Sequence, residues 1–345
     1  MYSYCACMWV VPFLFSFWGT AYGTEMIRSA IDREVGMEEL QTAQQAISVH
    51  TGVAVDDIKV LYAETNNDRH VLHHFVAVDH ATKSIVLALR GTLSLSGAIV
   101  DMQGMAADYC TGKAHQGMAE MAENVWNESG DKILKLCDTL EFQEYRFLIT
   151  GHSLGAGTAC LLNIKLHVEG QLGKNRPICC YAFAPPPTFQ PCNDGAEVDC
   201  SKKIEFAIQN TVGYIHDNDA VPFLSISAVR RLAALLDAVD NQTENIWFWR
   251  RWRIFHEYDG IPQELIDSVL QAETSSSHRA AVEGACDMII PARVVVWCQQ
   301  NFAGTFQAYG CDPHKVAAGN VFVNQDMLSD HLPEQYEDAL DALVA

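Results

Sequence analysis

Apolar and polar positions along the chain change period repeatedly between a strand-like and a helix-like pattern. Residues 75–79 (Phe-Val-Ala-Val-Asp) form an apolar run that ends in a turn-like Asp-His-Ala-Thr-Lys. Residues 84–89 (Ser-Ile-Val-Leu-Ala-Leu) are apolar on both faces, as a central strand must be, and the two runs together predict a hairpin. Helical spacing follows around residues 118–125 and 133–140. Residues 145–150 read as a strand, 158–168 as a helix, and 178–184 as a strand stopped by Pro185, Pro186 and Pro187. Residues 210–215 and 293–298 complete the core strands. Alternation of this kind predicts an α/β architecture, with a mostly parallel central sheet flanked by helices. Residues 223–285 interrupt it and read as a helical insertion. The expected organisation is one domain over residues 37–345 after an apolar segment, 1–36, of unassigned role.

Bulk properties narrow the function classes. The chain has 345 residues, is 49% hydrophobic and carries a formal net charge of −20. A large core is therefore available, and nucleic acid is excluded as a partner because phosphate contacts would face overall repulsion. The twelve cysteines are spread along the chain, with Cys179, Cys180 and Cys298 inside strand-like runs. They lack zinc spacing and suit buried thiols better than a disulfide framework, although Cys192 and Cys200 flank a polar loop and are a candidate bridge. The apolar stretch 8–18 has no basic residue before it, unlike a secretory signal, and is short for a membrane span. Asn127 and Asn241 head N-x-[ST] sequons, a pattern frequent by chance.

The sharpest chemical signal lies at residues 151–155, Gly-His-Ser-Leu-Gly, preceded by an apolar strand and followed by a small-residue helix start. A serine at a tight strand-to-helix turn projects its hydroxyl outward, and flanking glycines let strand and helix approach closely. Ser153 is thus the candidate nucleophile, with the helix N-terminus behind it favouring developing negative charge. A serine hydroxyl needs a histidine to take its proton and a carboxylate to orient that histidine, in the chain order Ser, acid, His for this arrangement. The strand at 211–215 runs into His216-Asp217-Asn218-Asp219, so Asp217 and Asp219 compete for the acid. His331, on a late loop before a terminal helix, is the candidate base, with His314 its rival. His73 and His74 suit surface or core roles. The N–H of Leu154 is one expected oxyanion donor. The turn Arg90-Gly91-Thr92, after the strand at 84–89, offers Thr92 as the second.

These residues resemble the class 3 lipases, and within them the sn-1-specific diacylglycerol lipases. The resemblance is carried by residues 75–94, His115-Gln-Gly-Met118, residues 151–159 and 180–185, residues 218–225 and residues 327–333. It spans about residues 50–342. It implies an α/β-hydrolase fold and a serine ester hydrolase that releases fatty acid from a glycerolipid, diacylglycerol first among them, at a membrane or droplet surface. Its D-x-V-P pattern places the acid at Asp219 rather than Asp217, its D-H-x-P pattern the base at His331, and its oxyanion residue at Thr92. A lid would be residues 93–105, apolar and small as a mobile cover should be. The four-helix membrane region of the animal enzymes has no counterpart in this sequence. The insertion is also shorter than their regulatory one, which opens the choice of glycerolipid.

Residues 246–255 (Ile-Trp-Phe-Trp-Arg-Arg-Trp-Arg-Ile-Phe) stand out in so acidic a chain. Trp247, Trp249 and Trp252 with their arginines suit an interfacial segment; aromatic packing in the core with the arginines paired to carboxylates is the competing reading. The triad chemistry needs no cofactor and no metal, and the sequence gives no indication of calcium. Membrane association, on the cytoplasmic side in preference to the alternative of a secreted enzyme, is the expected location. Phospholipase A1, galactolipase or triacylglycerol lipase activity on the same triad, and a catalytically silent lipase-like scaffold, are the alternatives.

Overall fold

Near-continuous apolar runs at residues 84–89, 146–151 and 178–183 have only one stable solution, burial on both faces inside a sheet covered by helices. The computed structural model describes residues 44, 45, 48, 54–64, 72–91, 106–173, 176–191, 198–225, 228, 267, 288–317, 326, 327 and 329–344. The strands are β1 (Ile58–Glu64), β2 (His74–Asp79), β3 (Ser84–Leu89), β4 (Ala106–Tyr109), β5 (Gly112–His115), β6 (Arg146–His152), β7 (Ile178–Phe183), β8 (Phe189–Gln190), β9 (Thr211–His216), β10 (Val294–Gln300) and β11 (Phe306–Cys311). The helices are α1 (Gln116–Cys137), α2 (Leu154–Glu169), α3 (Val198–Gln209), α4 (Pro313–Ala317) and α5 (Pro333–Val344).

Eight strands form the main sheet in the order β1-β2-β3-β6-β7-β9-β10-β11. The pairs β3–β6, β6–β7, β7–β9 and β9–β10 are parallel, and antiparallel hairpins close both edges. This is the α/β-hydrolase arrangement, with β2 and β3 pairing as the hairpin their sequences predict. Helices α1, α2 and α3 cover one face and α5 covers the other. A small second sheet, β4-β5-β8, lies beside the main one.

One expectation is corrected. The helical stretches at 118–125 and 133–140 are a single 22-residue helix, α1, that ends at Cys137. Ser129 and Gly130, which lie between those two stretches, are buried in its interior. The Ser129 hydroxyl donates back to the Val125 carbonyl at 2.8 Å, and the Trp126 ring fills the space beside Gly130, 2.9 Å from where a Cβ would stand. The buried positions Ala122, Val125, Ser129, Ile133 and Cys137 continue one stripe at three- and four-residue spacing, so tertiary packing overrides the weak local propensity.

Residues 1–36, Thr92, the proposed lid 93–105, most of 223–285 including the tryptophan-rich segment, Cys192 and Asn241 lie outside the described residues. Among the described residues no helix is long and apolar enough to cross a membrane.

Candidate active site

The parallel strands end together, and their C-terminal edge carries the chemistry. Strand β6 ends at His152, and the chain reverses at Ser153 into α2. Ser153 has φ 56° and ψ −123°, a strained conformation for a residue with a side chain. Close packing enforces it. A Cβ at Gly151 would stand 2.3 Å from the Gly155 carbonyl oxygen, and one at Gly155 only 2.5 Å from the Leu89 carbonyl oxygen. The glycines therefore let strand β6, helix α2 and the end of β3 meet closer than side chains permit. Gly91 belongs to the same junction, since its Cβ would lie 2.6 Å from the His152 carbonyl oxygen and 3.0 Å from the Ser153 Cβ. The turn that leads to Thr92 is thereby pressed against the nucleophile, though Thr92 itself is outside the described residues.

Ser153, Asp219 and His331, far apart in sequence, meet in one hydrogen-bonded chain. His331 Nε2 is 2.9 Å from Ser153 Oγ. His331 Nδ1 is 3.0 and 2.9 Å from the two carboxylate oxygens of Asp219. A carboxylate only accepts, so Nδ1 carries the proton and Nε2 is left free to receive one from the serine. Asp219 and Ser153 are fully buried.

Asp219 follows β9 through the turn His216–Asp219, where its own N–H donates to the His216 carbonyl at 2.9 Å. Its Oδ1 accepts the Val221 N–H at 2.9 Å, at the start of the short turn of helix Val221–Phe223. Asp217, the competing carboxylate, does not reach His331. Its φ is 33°, its carbonyl accepts the Trp297 indole N–H at 2.8 Å, and its carboxyl is pushed up first by burial and then by the Asp330 charge. His314 sits exposed on α4, with its N–H donating to the Asp312 carboxylate at 2.9 Å. Leu154 is the first residue of α2, so its N–H is one that the helix itself does not use. His74 is a buried residue of β2, with Nδ1 2.7 Å from the Leu72 carbonyl.

Three residues that the sequence did not single out join this constellation. The Tyr336 hydroxyl donates to Asp219 Oδ2 at 2.5 Å from α5, the helix on the opposite face of the sheet. Burial first, and then the Asp219 charge, raise the Tyr336 pKa well above its usual value, so the phenol keeps the proton it donates. His152 Nε2 lies 3.0 Å from the His331 carbonyl oxygen, with the two rings 4.7 Å apart. Asp330 Oδ2 accepts the Asn218 N–H at 3.0 Å. Helical periodicity marks Tyr336 as a core-facing position of α5, but nothing in the sequence shows that its hydroxyl meets a carboxylate 117 residues away.

The candidate Cys192–Cys200 bridge has one partner in view. Cys200, on α3, lies against the β4–β5 turn, its Sγ 3.4 Å from the Thr111 hydroxyl, and is a free thiol.

A strained serine hydrogen-bonded to a carboxylate-held histidine, at the strand ends of this sheet, defines a serine-hydrolase type of α/β-hydrolase site. Residues 86–228 match the model of the family Lipase (class 3). It is 23% identical over 309 residues to the Homo sapiens diacylglycerol lipase-alpha, covering 80% of this chain and 28% of that protein. It is 26% identical over 318 residues to the Mus musculus diacylglycerol lipase-beta, covering 79% of this chain and 44% of that protein. The chain thus spans less than half the length of these relatives. Among solved structures, it is similar to the lipase from Rhizopus microsporus var. chinensis, at 22% identity and a TM-score of 0.42, over 59% of this chain and 69% of that one.

Proposed function

We propose that the protein is a serine ester hydrolase that releases a fatty acid from a glycerolipid, diacylglycerol being the preferred class. The observation that carries the reading is the continuous chain from Asp219 through His331 to Ser153 Oγ on a strained elbow. The similarity to diacylglycerol lipases supports the choice of substrate.

Ser153 Oγ attacks the ester carbonyl carbon while His331 Nε2 takes its proton. The imidazolium that forms faces the Asp219 carboxylate, itself held by the Val221 N–H and the Tyr336 hydroxyl. The carbonyl oxygen becomes an oxyanion, for which the Leu154 N–H is the proposed donor at the start of α2, with Thr92 as its proposed companion. Collapse expels the glycerolipid alcohol, which takes the proton from His331 and leaves an acyl ester on Ser153. Water, deprotonated by the same His331, then attacks that ester and releases the fatty acid. Every step uses a proton shuttle and fixed dipoles, and none calls on a metal.

Ser153 has no exposed surface, so an acyl chain reaches it only after a covering element moves. Residues 93–105 are proposed as that lid, and a lipid surface on the cytoplasmic side of a membrane as the place where it opens. Fatty-acid release from mixed liposomes of diacylglycerol, phosphatidylcholine, galactolipid and triacylglycerol, with Ser153→Ala in parallel, tests the reading. Release from diacylglycerol that disappears in the variant is expected. Release from a different lipid keeps the triad and replaces the substrate; no release from any of them by folded protein overturns the enzyme reading.

A further inference from the structure

His331 stands in a loop, not in a helix or strand, and its only sequence-local supports among the described residues are turns. Asp330 N–H donates to the Asp326 carbonyl at 2.8 Å, and Leu332 N–H to the Ser329 carbonyl at 3.0 Å. Such turns fix the shape of a loop but not its distance from Ser153 and Asp219, which lie 178 and 112 residues away. That distance needs contacts from outside, and among the described residues two side-chain-to-main-chain hydrogen bonds supply them. Each comes from the residue immediately before a member of the triad.

The first is His152, directly before Ser153. Its Nε2 meets the His331 main-chain carbonyl oxygen at 3.0 Å. A carbonyl only accepts, so Nε2 carries a hydrogen and is the donor. Burial foremost, and then the neighbouring His331, push the His152 pKa well down. The ring packs 4.7 Å from His331 and 5.8 Å from Tyr336. Neutrality matters here, because a second cation at that distance would oppose the imidazolium that His331 must become. The second contact is Asp330, directly before His331. Its Oδ2 accepts the N–H of Asn218, the residue directly before Asp219, at 3.0 Å. Its Oδ1 lies 3.9 Å from His216 Nδ1, too long for a hydrogen bond.

We propose that His152 and Asp330 are positioning residues that set the triad geometry through the main chain. His152 fixes the base to the nucleophile's strand, and Asp330 fixes the base's loop to the acid's loop. Neither touches the substrate. Both act on where the His331 ring stands, so their loss lowers the chemical step and not substrate affinity. The inference rests on the proposed hydrolase reading.

The test pairs a disabling with a conservative substitution at each site. His152→Phe keeps a ring and removes the donor; His152→Gln places an amide N–H near the position of Nε2. Asp330→Ala removes the acceptor; Asp330→Asn keeps a carbonyl oxygen for the Asn218 N–H. Two rates are read on full-length folded protein: phosphonylation of Ser153 by a fluorophosphonate, and kcat and KM on a soluble short-chain ester. A displacement near 1 Å costs on the order of a hundredfold in such a site, so His152→Phe and Asp330→Ala should each lower both rates by about 10- to 100-fold with KM within about twofold. His152→Gln and Asp330→Asn should recover most of the loss. Folded His152→Phe and Asp330→Ala with wild-type rates, or conservative variants as impaired as the disabling ones, would overturn the proposal. A change in KM alone would overturn it too. A folded wild-type chain inert to probe and ester overturns the hydrolase reading beneath it, which is a separate outcome from an active wild type with unimpaired variants.

Discussion

Replacing Tyr336 by Phe removes one oxygen from the centre of the molecule and isolates the contribution of a hydrogen bond that sequence reading missed. The ring is 1% exposed and packs against His152, Phe183 and His216, so the substitution keeps nearly all of its apolar contacts. What disappears is the donation to Asp219 Oδ2 at 2.5 Å. Asp219 has no solvent exposure, so water does not replace that donor at no cost. A hydrogen bond to a charged group contributes about 1.5–3 kcal/mol, and a buried carboxylate left short of a donor loses at least that. At roughly 2 °C per kcal/mol for a chain of this size, the melting temperature should fall by about 3–6 °C. The effect on turnover should be smaller. The carboxylate keeps the Val221 N–H and both contacts with His331 Nδ1, so kcat should drop by less than about tenfold. Differential scanning calorimetry and short-chain ester hydrolysis on the same preparations separate the two effects. A melting temperature within about 1 °C of wild type would refute the claim that the phenol stabilises the buried carboxylate.

Three further outcomes follow from the same geometry. Gly155→Ala should destabilise by about 3 kcal/mol or more, read by calorimetry, because the new Cβ meets main-chain atoms of Leu89 and Arg90 within 2.8 Å that have no room to yield; an unchanged melting temperature would contradict the close approach. His152 resists protonation in the fold but titrates near pH 6.5 when unfolded, so below that value the unfolded state binds an extra proton and stability falls with pH. Between pH 6 and 5 the contribution should approach about 1.4 kcal/mol per pH unit, visible in urea titrations, and His152→Gln should flatten the slope by that amount. Burial pushes the thiols of Cys110 and Cys298 up to about 12 and about 11, so peptide mapping after iodoacetamide treatment at pH 8 should find both unmodified in folded protein. Rapid labelling of either would mean its surroundings are more open than the structure has them.

The parts of the molecule legible in the sequence are those where local chemistry leaves one solution. Five apolar positions in a row at residues 85–89 demand a strand covered on both faces, and β3 is buried throughout. Gly151, Ser153 and Gly155 are legible because only small residues permit the contacts near 2.5 Å that the elbow makes. The pairing of His331 with Asp219 in preference to Asp217 was not decided by spacing, which allowed either carboxylate; family resemblance chose one, and the structure brings that one to the imidazole. The edge strands β1 and β11 passed unread because their pairing depends on partners and not on their own pattern; β11 is largely exposed. Helix α1 reads in the sequence as two stretches, because the buried stripe through Ser129 and the Trp126 ring beside Gly130 that join them are packing facts. Tyr336, His152 and Asp330 each act across more than a hundred residues of sequence, a distance over which no local pattern reports.

The central claim is that Ser153 is a nucleophile activated by His331. Its most direct measurement is reaction of the folded protein with a fluorophosphonate probe, followed by peptide mapping of the adduct, with Ser153→Ala and His331→Ala alongside. The account predicts one adduct, on the peptide containing Ser153, absent in Ser153→Ala and formed at least about a thousandfold more slowly in His331→Ala, as expected when a general base is removed from a serine triad. An adduct on a different residue, or labelling of Ser153 at an undiminished rate without His331, would contradict it.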